Sequence, residues 1–527
     1  MKVLILDNIE KTCGDFLKKH QFQVIEAPKL TKEELKSQIK DIEVLLVRSA
    51  TKVTADIIEE AHSLKLIGRA GAGVDNIDLE AATRKGIIVM NTPGGNTISA
   101  AEHTCGMLLS VARLIPQAHG ELKQGIWDKK KWLGRELESK TLAVIGLGKI
   151  GREVAKRMQA FGMRTIGYDP MLPAEVAEKM GISVMSIEEN FKQADFITIH
   201  TPYNEATKYL FRKETFEMMK QGVRIVNCAR GGIIQEADLC EAVKSGKVAA
   251  AALDVFEEEP IKAGHPILSI ENIIVTPHIA ASTLEAQEKV AIQIAEQIAD
   301  WKSSGRLTGA VNASAVELAH DPEVQSYLLL AEKLGSIQAQ LQKGLPTKLK
   351  VIVSGDSLRR FIEPIAAAAV KGFLDAIQNS EINYINVFSK AKELGIVVDF
   401  VREKEHPDYT SLIRIEYTTE VGRKLIGGVV LGKRDRRVVM VDNFICEFKP
   451  EGNLLIYRNV DKPGVIAGVG AKLLRGNINI ANLSLSRNEE KTEALTIISI
   501  DNTIDDSVLT EVEKVDGVFD PKIVRLN

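Results

Sequence analysis

Three polar residues in the middle of this chain have the types and the spacing to carry acid–base chemistry. Arg230 stands in Asn-Cys-Ala-Arg-Gly-Gly, Glu259 in Val-Phe-Glu-Glu-Glu-Pro and His278 in Thr-Pro-His-Ile-Ala, each at or just after the end of a predicted strand. Histidine has a pKa near neutrality and can take a proton from a substrate hydroxyl. A carboxylate on its other ring nitrogen would fix the tautomer, and an arginine fork would hold a substrate carboxylate. Each residue alone is more often structural, but together at one sheet edge they favour catalysis.

A glycine motif upstream indicates a dinucleotide site. Gly146, Gly148 and Gly151 follow an apolar strand and begin a helix-patterned stretch, and a second strand ends at Asp169. The first glycine allows a tight turn, the second lets a pyrophosphate approach the backbone, and the third lets the helix pack against the strand. Asp169 can accept hydrogen bonds from the ribose hydroxyls, and its charge would repel a 2′-phosphate. The sequence therefore predicts NAD rather than NADP, and with the three polar residues it predicts oxidation of a hydroxy acid.

The elements that must position these residues form two series of alternating short apolar strands and amphipathic helices. One series fills about the first hundred residues, and the second begins near Ala100 and includes the glycine motif. This alternation predicts two doubly wound parallel sheets, which bind ligands beyond the carboxyl ends of their strands. A helix-patterned run from Leu284 to Lys302 follows the second series. We expect it to pack back onto the first lobe, which would make that lobe discontinuous.

The C-terminal half has a different texture and shows no catalytic spacing. It begins helical, continues with strands such as Leu349–Val353, and from Asn453 the pattern is strand, helix, strand, strand, helix, strand. That last order is ferredoxin-like. A unit of this size without a nucleophile, metal cluster or base is expected to be regulatory. The predicted domains are a substrate-binding lobe (1–98 and 280–307), a Rossmann NAD lobe (99–279), an α+β intervening domain (312–447) and a ferredoxin-like domain (453–527).

Composition narrows the classes of partner. The 527 residues include 68 basic and 71 acidic side chains, a net charge of -3, which argues against nucleic-acid binding. The N-terminus is apolar for only four residues before Asp7, so neither a signal peptide nor a membrane span is expected. The five cysteines are scattered and form no C-x-x-C pair, which predicts neither a disulfide framework nor a metal site. A reducing cytoplasm fits this pattern.

The chain resembles the D-isomer-specific 2-hydroxyacid dehydrogenases. The resemblance rests on the runs beginning at Gly68 (GRAGAGVDNID), Asn91 (NTPGGNT), Gly146 (GLGKIG), Asn227 (NCARGG), Ala252 (ALDVFEEEP) and Thr276 (TPHIA). It spans residues 1 to about 305, and the long C-terminal half brings it nearest to the branch of the family that oxidises 3-phospho-D-glycerate in serine biosynthesis and ends in an ACT domain. It implies NAD as cofactor, a homodimer formed through the dehydrogenase lobes, and a tetramer through paired terminal domains.

The resemblance also implies roles for individual residues. Arg230, Glu259 and His278 match the catalytic arginine, glutamate and histidine. The positions that match the cofactor site are Ala72, Gly146, Gly148, Lys149, Ile150, Gly151, Asp169, Thr201, Cys228, Ala229, Arg230, Asp254, His278 and Ala280. Arg48 and Arg69 match cations near the substrate phosphate or carboxylate. Arg135 resembles a residue that some relatives lend to the neighbouring subunit's site.

In the terminal domain, Asp461 and Asn479 match positions that contact serine in related ACT domains. Serine is therefore the expected effector of this domain. Asn459 departs from the pattern, because some serine-regulated relatives carry an aromatic residue there. Asp461 also has a plain structural interpretation, as an acid that caps the helix after the Asp-Lys-Pro-Gly turn.

Two other functions remain open from the sequence. A hydroxypyruvate or glyoxylate reductase of the same superfamily would share the three catalytic residues and the NAD fold. A corepressor-like protein would use the same fold to sense NADH rather than to catalyse. The long C-terminal half and the extra arginines favour the phosphoglycerate branch over the first, and the near-neutral charge argues against the second.

Overall fold

The computed structural model describes residues 1–319, 321–342, 344–378, 382–419, 422–501 and 506–526. The described residues form four sheets, two parallel, one mixed and one antiparallel. The predicted fold class, two doubly wound lobes followed by an α+β domain and a ferredoxin-like domain, is confirmed. None of the helices in these ranges is long and apolar enough to cross a membrane.

The first lobe is a five-stranded parallel sheet flanked by helices. Its strands are β1 (Lys2–Ile5), β2 (Gln23–Glu26), β3 (Val44–Val47), β4 (Leu66–Arg69) and β5 (Ile88–Asn91). Its helices are α1 (Lys11–Lys19), α2 (Lys32–Gln38), α3 (Ala55–Glu60) and α4 (Leu79–Arg84), with a 3-10 turn at Ile39–Asp41. The order is β2-β1-β3-β4-β5. The run Val-Leu-Leu-Val of β3 is buried on both faces, as expected for a central parallel strand covered by helices on both sides.

The second lobe contains a seven-stranded parallel sheet. Its strands are β6 (Thr141–Ile145), β7 (Arg164–Tyr168), β8 (Ile182–Val184), β9 (Phe196–Ile199), β10 (Val223–Asn227), β11 (Val248–Leu253) and β12 (Ile273–Val275). Its helices are α5 (Thr97–Arg113), α6 (Ile115–Lys123), α7 (Lys149–Ala160), α8 (Ala174–Glu178), α9 (Ile187–Gln193), α10 (Lys213–Met218) and α11 (Glu236–Lys244), with a 3-10 turn at Pro266–Ser269. The order β12-β11-β10-β9-β6-β7-β8 reverses between β6 and β9. The crevice at such a reversal is where doubly wound sheets bind ligands.

Helix α12 (Leu284–Ser304) returns from the second lobe to the first. Val290, Ile294 and Ile298 are buried in the same core as the inner strands of the first sheet. After Gly305 ends the helix in a left-handed conformation, the chain runs back along β5. Backbone hydrogen bonds there join Asn91 N to Gly309 O at 2.9 Å and Val311 N to Val89 O at 2.8 Å. The first lobe is thus completed by residues that lie more than 280 positions from its start.

The intervening region is a mixed sheet packed against helices. Its helices are α13 (Ser314–Ala319), α14 (Gln325–Leu341), α15 (Asp356–Arg359), α16 (Ile362–Asp375) and α17 (Val387–Glu393). Its strands are β13 (Lys348–Ser354), β14 (Val397–Glu403), β15 (Leu412–Thr419), β16 (Gly422–Leu431), β17 (Asp435–Val441) and β18 (Phe444–Phe448), in the order β14-β13-β15-β16-β17-β18. Helices α14 and α16 approach closely at glycines: a Cβ on Gly335 would lie 2.0 Å from the Ala369 carbonyl oxygen.

The terminal region has ferredoxin-like topology. It consists of β19 (Gly452–Val460), α18 (Val465–Arg475), β20 (Ile480–Arg487), β21 (Glu493–Ile500), α19 (Asp506–Glu513) and β22 (Val518–Leu526), with the antiparallel order β20-β21-β19-β22. One face of this sheet shares a hydrophobic core with the intervening helices, through residues such as Ile456 and Val524. Helix α18 begins at Gly464 without a side-chain cap, and Asp461 instead pairs with Arg487 at 2.9 Å. The interpretation of Asp461 as a helix cap was therefore wrong.

Candidate active site

The structure brings Glu259 and His278 into direct contact. Glu259 lies in the loop after β11, and His278 follows the short edge strand β12. The Nδ1 atom of His278 lies 2.7 Å from Glu259 Oε2. Since an ionised carboxylate only accepts hydrogen bonds, Nδ1 carries the proton and the opposite nitrogen, Nε2, is directed away from Glu259. This arrangement leaves Nε2 as the nitrogen that can act on a substrate.

Each member of this pair changes the pKa of the other. The hydrogen bond to Glu259 raises the pKa of His278 above its usual value, with further help from the charges of Glu259 and Asp254, whereas burial and Arg230 oppose the rise. Burial would raise the pKa of Glu259, but the hydrogen bond and charge of His278 outweigh it and lower that pKa. The pair therefore favours a carboxylate beside an imidazole that readily holds a proton.

A buried carboxylate holds the loop that carries His278. Asp254, at the end of β11, has no exposed surface and accepts hydrogen bonds from Ile279 N and Ala280 N, both at 2.9 Å. It also accepts one from Thr276 Oγ1 at 2.5 Å. His278 itself has a φ of 53°, in the left-handed region. Asp254 and Ala280 were both predicted at the cofactor site, and the hydrogen bond from Ala280 N to Asp254 shows that they are in direct contact.

Arg230 reaches across the cleft between the lobes. Its Nε donates to Asp75 Oδ2 at 3.0 Å, and Asp75 belongs to the first lobe. Its Nη1 donates to the Ala229 carbonyl at 2.7 Å, and its own backbone carbonyl accepts a hydrogen bond from Asn227 Nδ2 at 2.9 Å. Sequence reasoning missed Asp75, although it stands in the same Arg-Ala-Gly-Ala-Gly-Val-Asp run that supplied Arg69.

Arg48, Arg69 and Arg230 form a cationic cluster on the cleft. Burial, followed by the charges of Arg230 and Arg48, lowers the pKa of Arg69 to about 10, so it is still charged at neutral pH. Its Nε is buried without a hydrogen-bond partner among the described residues. Gly71 gives it room, because a Cβ there would lie 1.6 Å from Arg69 Nη1. Three arginines on one cleft, one of them with a buried Nε that has no hydrogen-bond partner among the described residues, fit an anionic ligand.

The glycine motif has the geometry of a dinucleotide turn. Gly146 has a φ of +97°, and a Cβ on it would lie 2.6 Å from the His200 carbonyl oxygen. A Cβ on Gly151 would lie 2.1 Å from the Gly146 carbonyl oxygen, so only glycine lets α7 approach β6 this closely. Gly148 caps α7, and a Cβ there would meet nothing within 4 Å. Space therefore lies open at the N-terminus of α7, where a pyrophosphate binds favourably.

Other residues around this turn also fit a dinucleotide. Asp169 follows β7 and accepts hydrogen bonds from Leu147 N and Met171 N, both at 2.8 Å, which fix its carboxylate beside the turn. Thr201 Oγ1, just after β9, is buried without a hydrogen-bond partner among the described residues. Lys149 and Ile150 begin α7, and Lys149 Nζ donates to the Pro93 carbonyl of the other lobe at 3.3 Å. An orphaned hydroxyl, an open helix N-terminus and an anchored acid together match NAD.

Two further predicted positions, Cys228 and Ala229, lie just after β10, and a third, Ala72, follows β4 in the first lobe. Burial and the charge of Asp254 raise the pKa of the Cys228 thiol to about 12, so it is protonated and is no nucleophile. Ala229 N donates to Asn227 Oδ1 at 3.0 Å. The Ala72 carbonyl accepts from Asn91 Nδ2 at 2.5 Å in the first lobe.

Arg135 lies apart from the other predicted site residues. It is exposed, and with burial its charge lowers the pKa of Arg224 near the amino end of β10. The residues predicted to be catalytic lie at the carboxyl ends of the strands, so Arg135 is at the opposite edge of the sheet from Arg230, Glu259 and His278 of its own chain.

Asp461 and Asn479 are also separated within one chain. Asp461 follows the end of β19, which pairs with the start of β21, whereas Asn479 precedes the start of β20, which pairs with the end of β21. They therefore lie at opposite ends of the sheet. Asn479 Nδ2 donates to Asp501 Oδ2 at 2.5 Å. Asn459 is buried and accepts from Thr496 Oγ1 at 2.9 Å, so its amide faces the sheet interior.

Comparison with known proteins gives consistent similarities. Residues 105–280 match the profile described as D-isomer specific 2-hydroxyacid dehydrogenase, NAD binding domain, and residues 323–442 match that of the D-3-phosphoglycerate dehydrogenase intervening domain. The chain is 40% identical over 528 residues to the D-3-phosphoglycerate dehydrogenase of Archaeoglobus fulgidus, and 42% identical over 529 residues to that of Methanocaldococcus jannaschii, covering 100% of both chains in each case. Its fold resembles that of the Aquifex aeolicus D-lactate dehydrogenase complexed with NAD and lactic acid, with a TM-score of 0.51 and 29% identity over 57% of this chain and 95% of that one.

Proposed function

This chain belongs to the D-3-phosphoglycerate dehydrogenase family, and we propose that it oxidises 3-phospho-D-glycerate to 3-phosphooxypyruvate with NAD, the first step of serine biosynthesis. The observation that carries the proposal is the contact of His278 with Glu259, at 2.7 Å, beside a cluster of three arginines. A base and several cations on one cleft suit a substrate that has a hydroxyl, a carboxylate and a phosphate.

His278 takes the proton from the substrate's 2-hydroxyl on Nε2. Glu259 accepts a hydrogen bond from Nδ1 and stabilises the imidazolium that forms, which is the reason for the raised pKa of His278. In the reverse direction the same imidazolium returns the proton to the carbonyl oxygen. Bound NAD supplies the acceptor for the hydrogen that leaves C2 with its electron pair.

The arginines bind and orient the anionic groups of the substrate. Arg230 is assigned the carboxylate, because its guanidinium lies close enough to oppose the pKa rise of His278. Arg69 and Arg48 are assigned the second anionic group. A guanidinium can bind carboxylate or phosphate oxygens through two parallel hydrogen bonds, which fixes orientation as well as charge. Closure of the lobes around this cluster would exclude water from the reacting atoms.

The cofactor would lie across the carboxyl edge of the seven-stranded sheet. The open N-terminus of α7 above Gly148 suits the pyrophosphate, and the Asp169 carboxylate suits the ribose hydroxyls. Thr201 Oγ1 and the positions from Cys228 to Arg230 are assigned to the cofactor side of the cleft. The acid at position 169 disfavours NADP by charge.

We further assign the protein a homo-oligomeric state and an amino-acid effector. The segment from α6 to Leu133 supports the first, because Trp127 is 74% exposed and Leu133 85% exposed. A neighbouring subunit at this surface could receive Arg135. Pairing of two terminal domains would be needed to bring Asp461 of one chain to Asn479 of another, which is the arrangement the serine proposal requires. Asn459 stands where some serine-regulated relatives carry an aromatic residue, and here its side chain is buried and hydrogen-bonded to Thr496. We therefore expect inhibition by serine to be weak. A reducing cytoplasm remains the proposed location, supported by the five free cysteines.

The experiment is an NAD-reduction assay with 3-phospho-D-glycerate beside D-glycerate and D-lactate. The keto product is trapped, and 3-phosphooxypyruvate with NADH is run in reverse. His278→Ala should abolish turnover, whereas His20→Ala, at an exposed histidine of α1's end, should retain it. Turnover of only the unphosphorylated acids would move the protein to the reductase branch. Binding of NADH without any turnover would favour the NADH-sensing function.

A further inference from the structure

His103, which was not among the predicted site residues, contacts the loop that carries His278. His103 lies on α5, and its Nε2 is 3.2 Å from Thr276 Oγ1 and 3.4 Å from Asp254 Oδ1. The Thr276 hydroxyl donates its own proton to Asp254 Oδ1 at 2.5 Å. The lone pairs of Thr276 therefore remain for His103, and the ring must carry its proton on Nε2 to donate.

His103 completes the set of donors around Asp254. That carboxylate is fully buried and receives the backbone N–H groups of Ile279 and Ala280 together with the Thr276 hydroxyl. His103 Nε2 lies 3.4 Å from Asp254 Oδ1, the oxygen that also accepts from Thr276 and Ile279, and its hydrogen bond to the Thr276 hydroxyl fixes that donor. A buried carboxylate with fewer donors is costly and reorients more easily. His103 therefore supports the Oδ1 side of this network, through the Thr276 hydroxyl.

The loop held by this network depends on outside support. Strand β12 has three residues and, among the described strands, pairs with β11 alone, so the sheet restrains it from one side. His278 has a left-handed φ of 53°, a conformation that a residue with a side chain keeps only when its surroundings fix it. Three residues of the loop, Thr276, Ile279 and Ala280, donate hydrogen bonds to Asp254 on both sides of His278. Any movement of Asp254 is thus passed to His278.

The position of His103 on α5 adds a connection between lobes. Helix α5 begins at Thr97, directly after the segment that leaves β5 of the first lobe. His103 is on its second turn and is partly buried, with 20% of its side chain exposed. The same helix thus carries the chain from one lobe to the other and contacts the catalytic loop.

We propose that His103 is a positioning residue for the proton transfer, acting on His278 through Thr276 and Asp254. Its described contacts are with Thr276 and Asp254 and not with His278 itself. It keeps the Asp254 carboxylate oriented so that the 276–280 loop holds His278 against Glu259. The proposal rests on the proposed function, since that function gives His278 its role as base.

The test compares two substitutions of His103. His103→Leu removes the donor and keeps an apolar side chain of similar size, and His103→Gln keeps an N–H donor near the position of Nε2. We expect His103→Leu to lower kcat by about 10- to 100-fold, the range found when an outer partner of a catalytic group is lost, with KM for the phosphorylated substrate changed less than about twofold. His103→Gln should restore most of kcat. Equal loss in both variants, or unchanged kcat in His103→Leu, would overturn the proposal.

A second readout does not depend on turnover. Diethylpyrocarbonate modification of His278 as a function of pH, resolved by tandem mass spectrometry with NADH present, gives the apparent pKa of that residue. The hydrogen bond to Glu259 is the largest cause that raises the pKa of His278, and Arg230 lowers that pKa. Because His103→Leu should let His278 move away from Glu259, it should lower the pKa of His278. His103→Gln should retain the wild-type value. An unchanged value in His103→Leu contradicts the proposal even if the protein oxidises none of the acids, in which case only the proposed function has failed.

Thr276→Val provides an independent route if His103→Leu does not fold. It removes the hydroxyl between His103 and Asp254 and should reproduce the loss of kcat and the lowered His278 pKa. In the double variant His103→Leu, Thr276→Val the effects should be clearly less than additive, because both act through one network. Additive effects would show that the two residues act separately and would overturn the inference.

Discussion

At the scale of single residues, the reactive centre depends on one hydrogen bond. Glu259 Oε2 lies 2.7 Å from Nδ1 of His278, and this contact decides both the tautomer and the affinity of the ring for a proton. The raised pKa suits the acid role in carbonyl reduction, whereas alcohol oxidation needs the neutral ring. The same contact therefore sets the direction in which the enzyme is faster at a given pH.

Glu259→Gln should change the pH dependence in both directions. In the wild-type protein kcat/KM for oxidation falls as pH drops through the raised pKa of His278, because the base becomes protonated. Without the carboxylate that pKa falls, so the acid limb should move to lower pH while kcat drops by about 100-fold or more. For reduction, the alkaline limb should move to lower pH as well. Glu258→Gln, at an exposed side chain paired with Lys262, is the control. Unmoved limbs in Glu259→Gln would contradict the assignment.

Gly71→Ala tests the placement of Arg69. The new Cβ would lie 1.6 Å from Arg69 Nη1, so the guanidinium must move, and the φ of +146° adds strain of about 1–3 kcal/mol. We expect KM for the phosphorylated acid to rise by about tenfold or more, the effect of losing one charge-assisted contact, with KM for NAD little changed. Gly395→Ala is the matched control, because Gly395 has a positive φ but open space around it. It should lose stability without any change in KM.

At the scale of elements, the glycine turn shows how β6 and α7 divide two tasks between neighbouring glycines. Gly151 lets the helix pack on the strand, and Gly148 leaves the helix N-terminus open. The first task concerns the stability of the lobe and the second concerns its ligand. A methyl group added at one position or the other therefore tests packing and ligand binding separately.

Gly148→Ala should weaken cofactor binding without destabilising the lobe. Gly151→Ala should mainly lower the stability of the lobe. A Cβ on Gly148 meets no protein atom within 4 Å and its φ of -67° accepts alanine, so the free energy of unfolding should stay unchanged while the Kd for NADH rises. A Cβ on Gly151 lies 2.1 Å from a carbonyl oxygen, which should cost about 1–3 kcal/mol by overpacking. Urea unfolding and NADH fluorescence titration measure the two quantities. A larger stability loss in Gly148→Ala would refute this division.

At the scale of the whole molecule, the chain joins distant segments twice. Helix α12 and the strand-like run after Gly305 complete the first lobe, and the terminal sheet shares a core with the intervening helices. Asn383 of the intervening region also donates to the Gly86 carbonyl of the first lobe at 3.2 Å. Regulation by the terminal domain would have to reach the cleft through such contacts. We propose the exposed segment around Trp127 and Leu133 as the surface that contacts a second copy.

Leu133→Asp should weaken self-association and substrate binding together. The charge would be buried in an apolar contact between copies, which is unfavourable. If Arg135 acts in the neighbour's site, dissociation should raise the KM for 3-phospho-D-glycerate more than it raises the KM for NAD. Size-exclusion chromatography with light scattering and steady-state kinetics at several protein concentrations measure both effects. Leu268→Asp, at another exposed leucine of the same lobe, should change neither. Unaltered mass in Leu133→Asp would exclude this surface as the interface.

Features that lie within a short stretch of chain could be predicted from the amino-acid order. The strand, glycine turn, helix and acid from Thr141 to Asp169 are contiguous, so spacing alone predicted a dinucleotide turn, in which the structure finds Gly146 and Gly151 in close contact with backbone and Gly148 open. The alternation of strands and helices likewise gave the fold class, because hydrophobic periodicity is a local property. The identities of Arg230, Glu259 and His278 came from short motifs in the same way.

Which distant residues meet is known from the folded chain and not from the amino-acid order. The contact of Arg230 with Asp75 joins residues 155 positions apart, and that of His103 with Thr276 joins residues 173 apart, and neither follows from any local pattern. The wrong assignment of Asp461 as a helix cap has the same cause, since its partner Arg487 comes from another strand. The separation of Arg135 from its own triad and of Asp461 from Asn479 likewise depends on strand order. Periodicity fixes which face of an element is buried, whereas the packing of elements fixes which side chains share a site.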